Sequence, residues 1–138
     1  MKLIIPLLLM VIFSQAQPSI VGRWKTVDDE SGEVKSIVEI VEQKGTYYGR
    51  IIKIFSLEHP DPVCKKCPLD DDRYGQRVLG MEIIKGLKKS GNEYSDGDIL
   101  DPEVGRIYKC KLWIEGSDLK VRGYWGPFYR TQTWKKST

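Results

Sequence analysis

Two consecutive runs near the C-terminus alternate apolar and polar residues, and that alternation restricts the chain more than any other feature it carries. In 105–115, Tyr108, Cys110, Leu112 and Ile114 fall on one face while Lys109, Lys111 and Glu115 fall on the other, with Trp113 interrupting the polar side. In 118–125, Leu119, Val121, Gly123 and Trp125 alternate with Lys120, Arg122 and Tyr124. Successive strand side chains point to opposite faces, so the pattern describes an antiparallel sheet with one buried and one wet face.

Turn-forming residues punctuate the rest of the chain at short intervals: Asp29-Glu30-Ser31-Gly32, Lys44-Gly45, Ser90-Gly91-Asn92, Ser95-Asp96-Gly97-Asp98, Asp101-Pro102 and Glu115-Gly116-Ser117-Asp118. Between them, strands are expected near 21–27, 34–42, 46–55, 79–85, 97–101, 105–115, 118–125 and 128–136. Gly123, inside a strand, implies a bulge or a close approach by another backbone or a ligand. No amphipathic helix, repeat, low-complexity segment or linker is apparent. About eight such strands build one all-β unit, and closure into a barrel removes the exposed edges a sandwich keeps.

The N-terminus is different in kind. Lys2 precedes an apolar run from Leu3 to Phe13, followed by Ser14-Gln15-Ala16-Gln17. The run falls short of the roughly 20 apolar residues a bilayer span needs. Its order of one cation, an apolar segment and small residues is that of a secretory signal, with cleavage expected after Ala16. The chain thus divides into a signal at 1–16 and one domain at 17–138, exported to a periplasm or secreted, and not membrane-spanning once cleaved. The formal net charge of the whole chain is +3, with both signs interspersed, which gives no basic stripe for nucleic acid.

Gly22-Arg23-Trp24 opens the first strand. It resembles the Gly-x-Trp with which lipocalins begin, where the tryptophan plugs the closed end of the barrel and a cation from the last strand lies across it. The resemblance implies Arg130, in Tyr129-Arg130-Thr131-Gln132-Thr133-Trp134, as that cation. Three longer segments, 79–84 from Leu79-Gly80-Met81, 97–108 from Gly97-Asp98-Ile99 to Tyr108, and 119–134 from Leu119 to Trp134, resemble the exported bacterial domain of unknown function 2147 family. That resemblance runs from Gly22 to Trp134. It implies a small antiparallel up-and-down, lipocalin-like (calycin-type) barrel in a bacterial envelope, and brings no established activity.

Cys64-Lys65-Lys66-Cys67 lies between Pro62 and Pro68 in a long strandless stretch, about 56–77, of the kind that serves as a lid or binding loop. An oxidising compartment favours a Cys64–Cys67 disulfide. A redox-active pair is the second reading, because neighbouring lysines lower a thiol pKa, although no helix opens at the motif. A metal site from His59, Cys64, Cys67 and Asp70 is the third, although it lacks a second Cys or His pair. Cys110, on the apolar face of its strand, reads as a small buried hydrophobe, or as a bridge to a loop cysteine. His59, the only histidine, reads as a surface residue, and Asp70-Asp71-Asp72 reads as a solvated run without the alternation of a calcium loop. Glu39 and Glu42 have no evident carboxylate partner for glycoside chemistry.

No catalytic constellation can be assembled from these residues, and no cofactor or metal is expected. The leading expectation is a binding protein for a small apolar or amphipathic molecule. Its pocket candidates are Trp24, Tyr108, Leu112, Val121, Trp125 and Phe128, with Arg130 and Gln132 as polar groups. An envelope interaction protein with a packed barrel, using Trp113, Tyr124 and Tyr129 as a surface patch, is the alternative. A thiol redox protein centred on Cys64 and Cys67 is a second alternative.

Overall fold

The computed structural model describes residues 1–12, 18–56 and 58–138. Residues 1–12 form neither helix nor strand, and their side chains are exposed. The expected cleavage site, at Ser14 to Gln17, lies outside the described residues. Among the described residues no helix is long and apolar enough to cross a membrane.

Eight strands follow: β1 (Gly22–Val27), β2 (Val34–Gln43), β3 (Thr46–Ile54), β4 (Glu82–Ser90), β5 (Glu93–Asp101), β6 (Arg106–Glu115), β7 (Asp118–Trp125) and β8 (Phe128–Lys136). Each pairs antiparallel with its sequence neighbours, and β8 returns to β1, so the sheet is a closed up-and-down barrel. The β2–β3 hairpin turns through Lys44 and Gly45, both at positive φ (53° and 80°). That is the two-residue geometry whose twist matches flanking strands.

The alternation read from β6 and β7 sets the interior. Cys110, Leu112, Leu119 and Val121 are buried with Trp24, Val38, Ile40, Ile84, Leu87, Tyr94 and Trp134 in one core cluster. Gly123 stands beside Tyr108: a Cβ there would meet the tyrosine's Cβ at 3.3 Å. The missing side chain thus makes room for a neighbouring strand's aromatic, so the close approach expected at this glycine comes from the protein itself.

One end of the barrel is packed. Trp24 is buried near the start of β1, where its Nε1–H donates to the Ile20 carbonyl at 2.8 Å. Tyr47 and Tyr94 meet edge to face, with centroids 4.8 Å apart. The turns at this end are the short polar pairs 44–45, 91–92 and 116–117. The other end carries the longer connections, 28–33, 55–81 and 102–105, together with the β7–β8 turn.

Two strands differ from expectation. β4 begins and ends later than 79–85, and β5 starts at Glu93 rather than at 97. Ser95-Asp96-Gly97-Asp98, expected as a turn, lies inside β5. The physical reason is a bulge between Tyr94 and Gly97 in the pairing with β6. There the β4 backbone crowds Gly97 so closely that a Cβ would lie 2.8 Å from the Leu87 amide nitrogen. A glycine serving close backbone approach looks, in sequence, like a glycine serving a turn.

The barrel closes through few hydrogen-bonded residues. β1 and β8 pair only at Trp24↔Lys136 and Lys25↔Lys135, with Ser137 N–H donating to the Arg23 carbonyl at 2.9 Å. Towards the other end of this seam a side chain takes over. Arg130 pairs with Asp29 at 2.6 Å and with Glu30 at 3.3 Å. The expected contact of Arg130 with Trp24 is therefore not made. The register sets Trp24 opposite Lys136, six residues further along β8, or about 20 Å at 3.3 Å per residue.

Candidate functional site

The long connections meet at one end of the barrel and define a mouth. The β3–β4 connection folds back on itself through a Val63↔Arg77 bridge, with Cys64 N–H donating to the Gln76 carbonyl and Gly75 N–H to the Cys64 carbonyl, both at 2.8 Å. Cys64 and Cys67 are disulfide-bonded, with Cα atoms 5.5 Å apart, and both are buried. This removes both thiolates from any metal ligand set. Among the described residues no three His, Cys, Asp or Glu side chains are grouped to hold an ion. Cys110 is free and buried, which excludes its bridge to the loop, and burial pushes its thiol pKa up to about 12.

The acidic run is not wholly solvated, contrary to expectation. Asp71 accepts from Arg73 Nε at 2.8 Å and Nη2 at 2.9 Å, while Arg73 Nη1 donates to the Glu82 carbonyl on β4 at 2.9 Å. Arg73 is only 7% exposed. Its guanidinium holds the Asp71 carboxyl well below the usual carboxylate range, and Asp71 in turn raises Arg73. This pair rivets the lid to the barrel wall. On the far side, the lid packs on the β5–β6 turn, where the Lys66 carbonyl occupies the space a Cβ on Gly105 would need. Gly105 is left-handed as well, at φ 72°.

Beneath and beside the lid lie two adjoining cavities. The first, about 420 Å³, has an apolar wall that includes Ile51, Ile54, Val78, Ile83 and Leu100. Thr26 and Ser36 add hydroxyls to its lining, and Lys35, Lys65, Lys66, Asp28, Asp101 and Glu103 add charge. His59 also lines it, though its residue is exposed. The second cavity, about 280 Å³, is bounded by Tyr108, Val121, Trp125, Phe128, Arg130 and Gln132, with Arg106 against the Trp125 ring at 4.3 Å. Asp101 and Gln132 line both cavities, so the two meet at one polar boundary. The first is within the range of small-molecule sites, about 300–1,000 Å³, and the second lies just below it.

Of the eight pocket candidates, six therefore line the second cavity. Trp24 and Leu112 do not line either one. They are buried in the packed core, because they sit towards the closed ends of β1 and β6. The larger cavity escaped sequence reading. Its lining comes mainly from β1 to β5, the lid and the β5–β6 turn, and apart from Gln132 only the unusual length of the loop signalled it.

The mouth is also where apolar side chains meet solvent. Among the described residues from 18 onward, the exposed large hydrophobics are Val34, Phe55, Val63, Leu69, Tyr74, Val104, Trp125, Phe128 and Tyr129 at this end, and Val21 alone at the other. Trp125 is 54% and Phe128 71% exposed. Of the aromatics expected as a patch, Tyr129 is exposed, whereas Trp113 and Tyr124 are half-buried. Arg122 lies against Trp113 at 5.0 Å and against Tyr129 at 4.4 Å.

A family model described as "uncharacterized protein conserved in bacteria (DUF2147)" matches residues 22–136. Among solved structures, the chain is similar to a Helicobacter pylori protein, HP1028, described as belonging to the lipocalin family. The TM-score is 0.72 at 21% identity, over 87% of this chain and 84% of that one, which is a likeness of fold. No curated protein matches.

Proposed function

We propose, from the premise that this chain belongs to the uncharacterized bacterial family DUF2147, that it is an exported binding protein taking a small apolar or amphipathic molecule into the mouth of a lipocalin-like barrel. One observation carries this reading: two adjoining cavities at one end, apolar along the wall and polar at the rim, above a floor packed with aromatic and aliphatic side chains. Such a division suits a ligand with an apolar body and a polar end. The N-terminal apolar run supports export, as does a buried disulfide, which belongs with an oxidising compartment. Burial of Cys64 and Cys67 favours a structural bridge over thiol exchange, which needs an accessible sulfur.

Native mass spectrometry of the protein purified from its own envelope tests the proposal. Extra mass that survives gentle ionisation and departs on denaturation is the expected result. A bare native mass, together with no binding of any amphiphile added to the protein, refutes it.

A second reading has an observation of its own. The exposed apolar residues gather around the mouth, so this end of the barrel would act as a contact surface. On that reading, replacing Leu69 and Val104, exposed at the mouth but lining neither cavity, by serine abolishes association while leaving cavity ligands unaffected.

A further inference from the structure

We propose that Lys65 and Lys66 form a clamp for an anionic headgroup, so that the molecule held in the larger cavity is an alkyl-chain amphiphile ending in a carboxylate or a phosphate ester. This rests on the small-molecule reading above and names the class of ligand.

The argument begins with the Cys-Lys-Lys-Cys motif, which the barrel alone does not explain. The disulfide closes a loop with only two residues between its ends, and those residues are the lysines. The backbone around them is held further. Lys65 N–H donates to the Val63 carbonyl at 3.0 Å, and the Lys66 carbonyl is seated against Gly105. Both lysines line the larger cavity, and both are exposed. Two cations are thus presented from a pinned backbone, which lowers the ordering cost of binding through them.

Three of the other charged groups of this cavity have contacts of their own. Lys35 lies 3.4 Å from Glu33, and Glu103 is the largest electrostatic influence upon it. The Asp28 carboxylate accepts from the Glu30 and Ser31 amides at 3.0 and 2.8 Å. That of Asp101 accepts from the Glu103 amide at 3.0 Å. Among the described residues, neither Lys65 nor Lys66 has a carboxylate within ion-pair distance. The cations left without a carboxylate partner are therefore the two lysines of the lid, while the carboxylates of Asp28, Asp101 and Glu103 lie elsewhere on the lining. In the same cavity, Ile51, Ile54, Ile83 and Leu100 supply a wall that water solvates poorly and an alkyl chain covers well. A free inorganic anion would use the lysines and leave this wall uncovered.

Calorimetric titration of the oxidised protein below micellar concentrations provides the test, with dodecanoate, dodecyl phosphate, dodecanol, dodecylamine and inorganic phosphate as ligands. The two anionic chains are expected to bind about tenfold more tightly than the alcohol, the scale that two exposed ion pairs supply. The amine is expected to bind more weakly than the alcohol, and inorganic phosphate not measurably. The double variant K65Q/K66Q should bind the anions as weakly as the alcohol, with alcohol affinity, melting temperature and disulfide unchanged. The assignment is overturned if the alcohol or amine equals the acids, if the preference survives in K65Q/K66Q, or if inorganic phosphate binds as tightly as dodecyl phosphate. Absence of binding by all four chains overturns the cavity reading as well, which separates the two failures.

Discussion

Replacing Arg73 by methionine should release the lid from the barrel wall at a cost that the surrounding contacts define. The substitution keeps most of the apolar stem and removes the guanidinium. Lost with it are the two bonds to Asp71, at 2.8 and 2.9 Å, and the bond to the Glu82 carbonyl at 2.9 Å. Asp71, whose side chain is 14% exposed, keeps only the Arg73 amide as a donor. Breaking a fully buried pair from one side costs about 3–5 kcal/mol. Because some water reaches Asp71, the lower end applies, about 3 kcal/mol. The change has a pH signature. Asp71 titrates below its unfolded value in the folded protein, so its contribution is fully present above about pH 4 and is lost as pH falls through the folded pKa. Urea unfolding of the oxidised protein at pH 7 should therefore show a lower midpoint with unchanged slope. Wild type and R73M should converge as the pH is lowered. D71N combined with R73M should recover part of the loss, since no buried charge is then left alone. A cost below 1 kcal/mol at pH 7, or a difference that does not shrink in acid, refutes this account of the lid.

Three other outcomes follow from the packing. Leu112→Ala removes a fully buried side chain from the barrel floor and should cost about 2–5 kcal/mol by denaturant unfolding, without altering ligand affinity. Gly105→Ala should cost about 2 kcal/mol or more and speed amide exchange in 62–78, because the new methyl group displaces the Lys66 carbonyl as well as straining a left-handed residue. Gly116→Ala, left-handed at φ 63° but in open space, should cost only the backbone part, so equal losses at the two sites refute the contact. Cys110, with its pKa pushed up to about 12, should resist iodoacetamide at pH 8 until the barrel unfolds, and rapid labelling of the native protein would contradict its burial.

How much could be read beforehand depends on whether the cause is local. Strands β6, β7 and β8 were legible to within a residue, because side chains i and i+2 share a face and the hairpin turns lie between them. The same parity brought six of the eight pocket candidates to one cavity, since inward residues at the open ends of neighbouring strands must adjoin. The β4–β5 hairpin was misplaced because its pattern is broken by bulges. Ile84 and Leu87 are both buried yet three apart, so a period of two does not find them.

The family resemblance implied closure into an up-and-down barrel, whereas the chain's own order of residues determined the all-β class, the strand count and the presence of a long loop with a cysteine pair. Each of these rests on alternation or turn chemistry acting over a few positions. Tertiary structure alone decided which residues meet across the barrel. Register at the β1–β8 seam moved Arg130 from Trp24 to Asp29, some 100 residues away in sequence. Three dimensions made Asp71 a partly buried ion-pair partner rather than a solvated acid, and placed two lysines in one cavity with an apolar wall drawn from the strands. Such contacts depend on strand stagger and on how a loop folds back, and neither leaves a periodic mark along the chain.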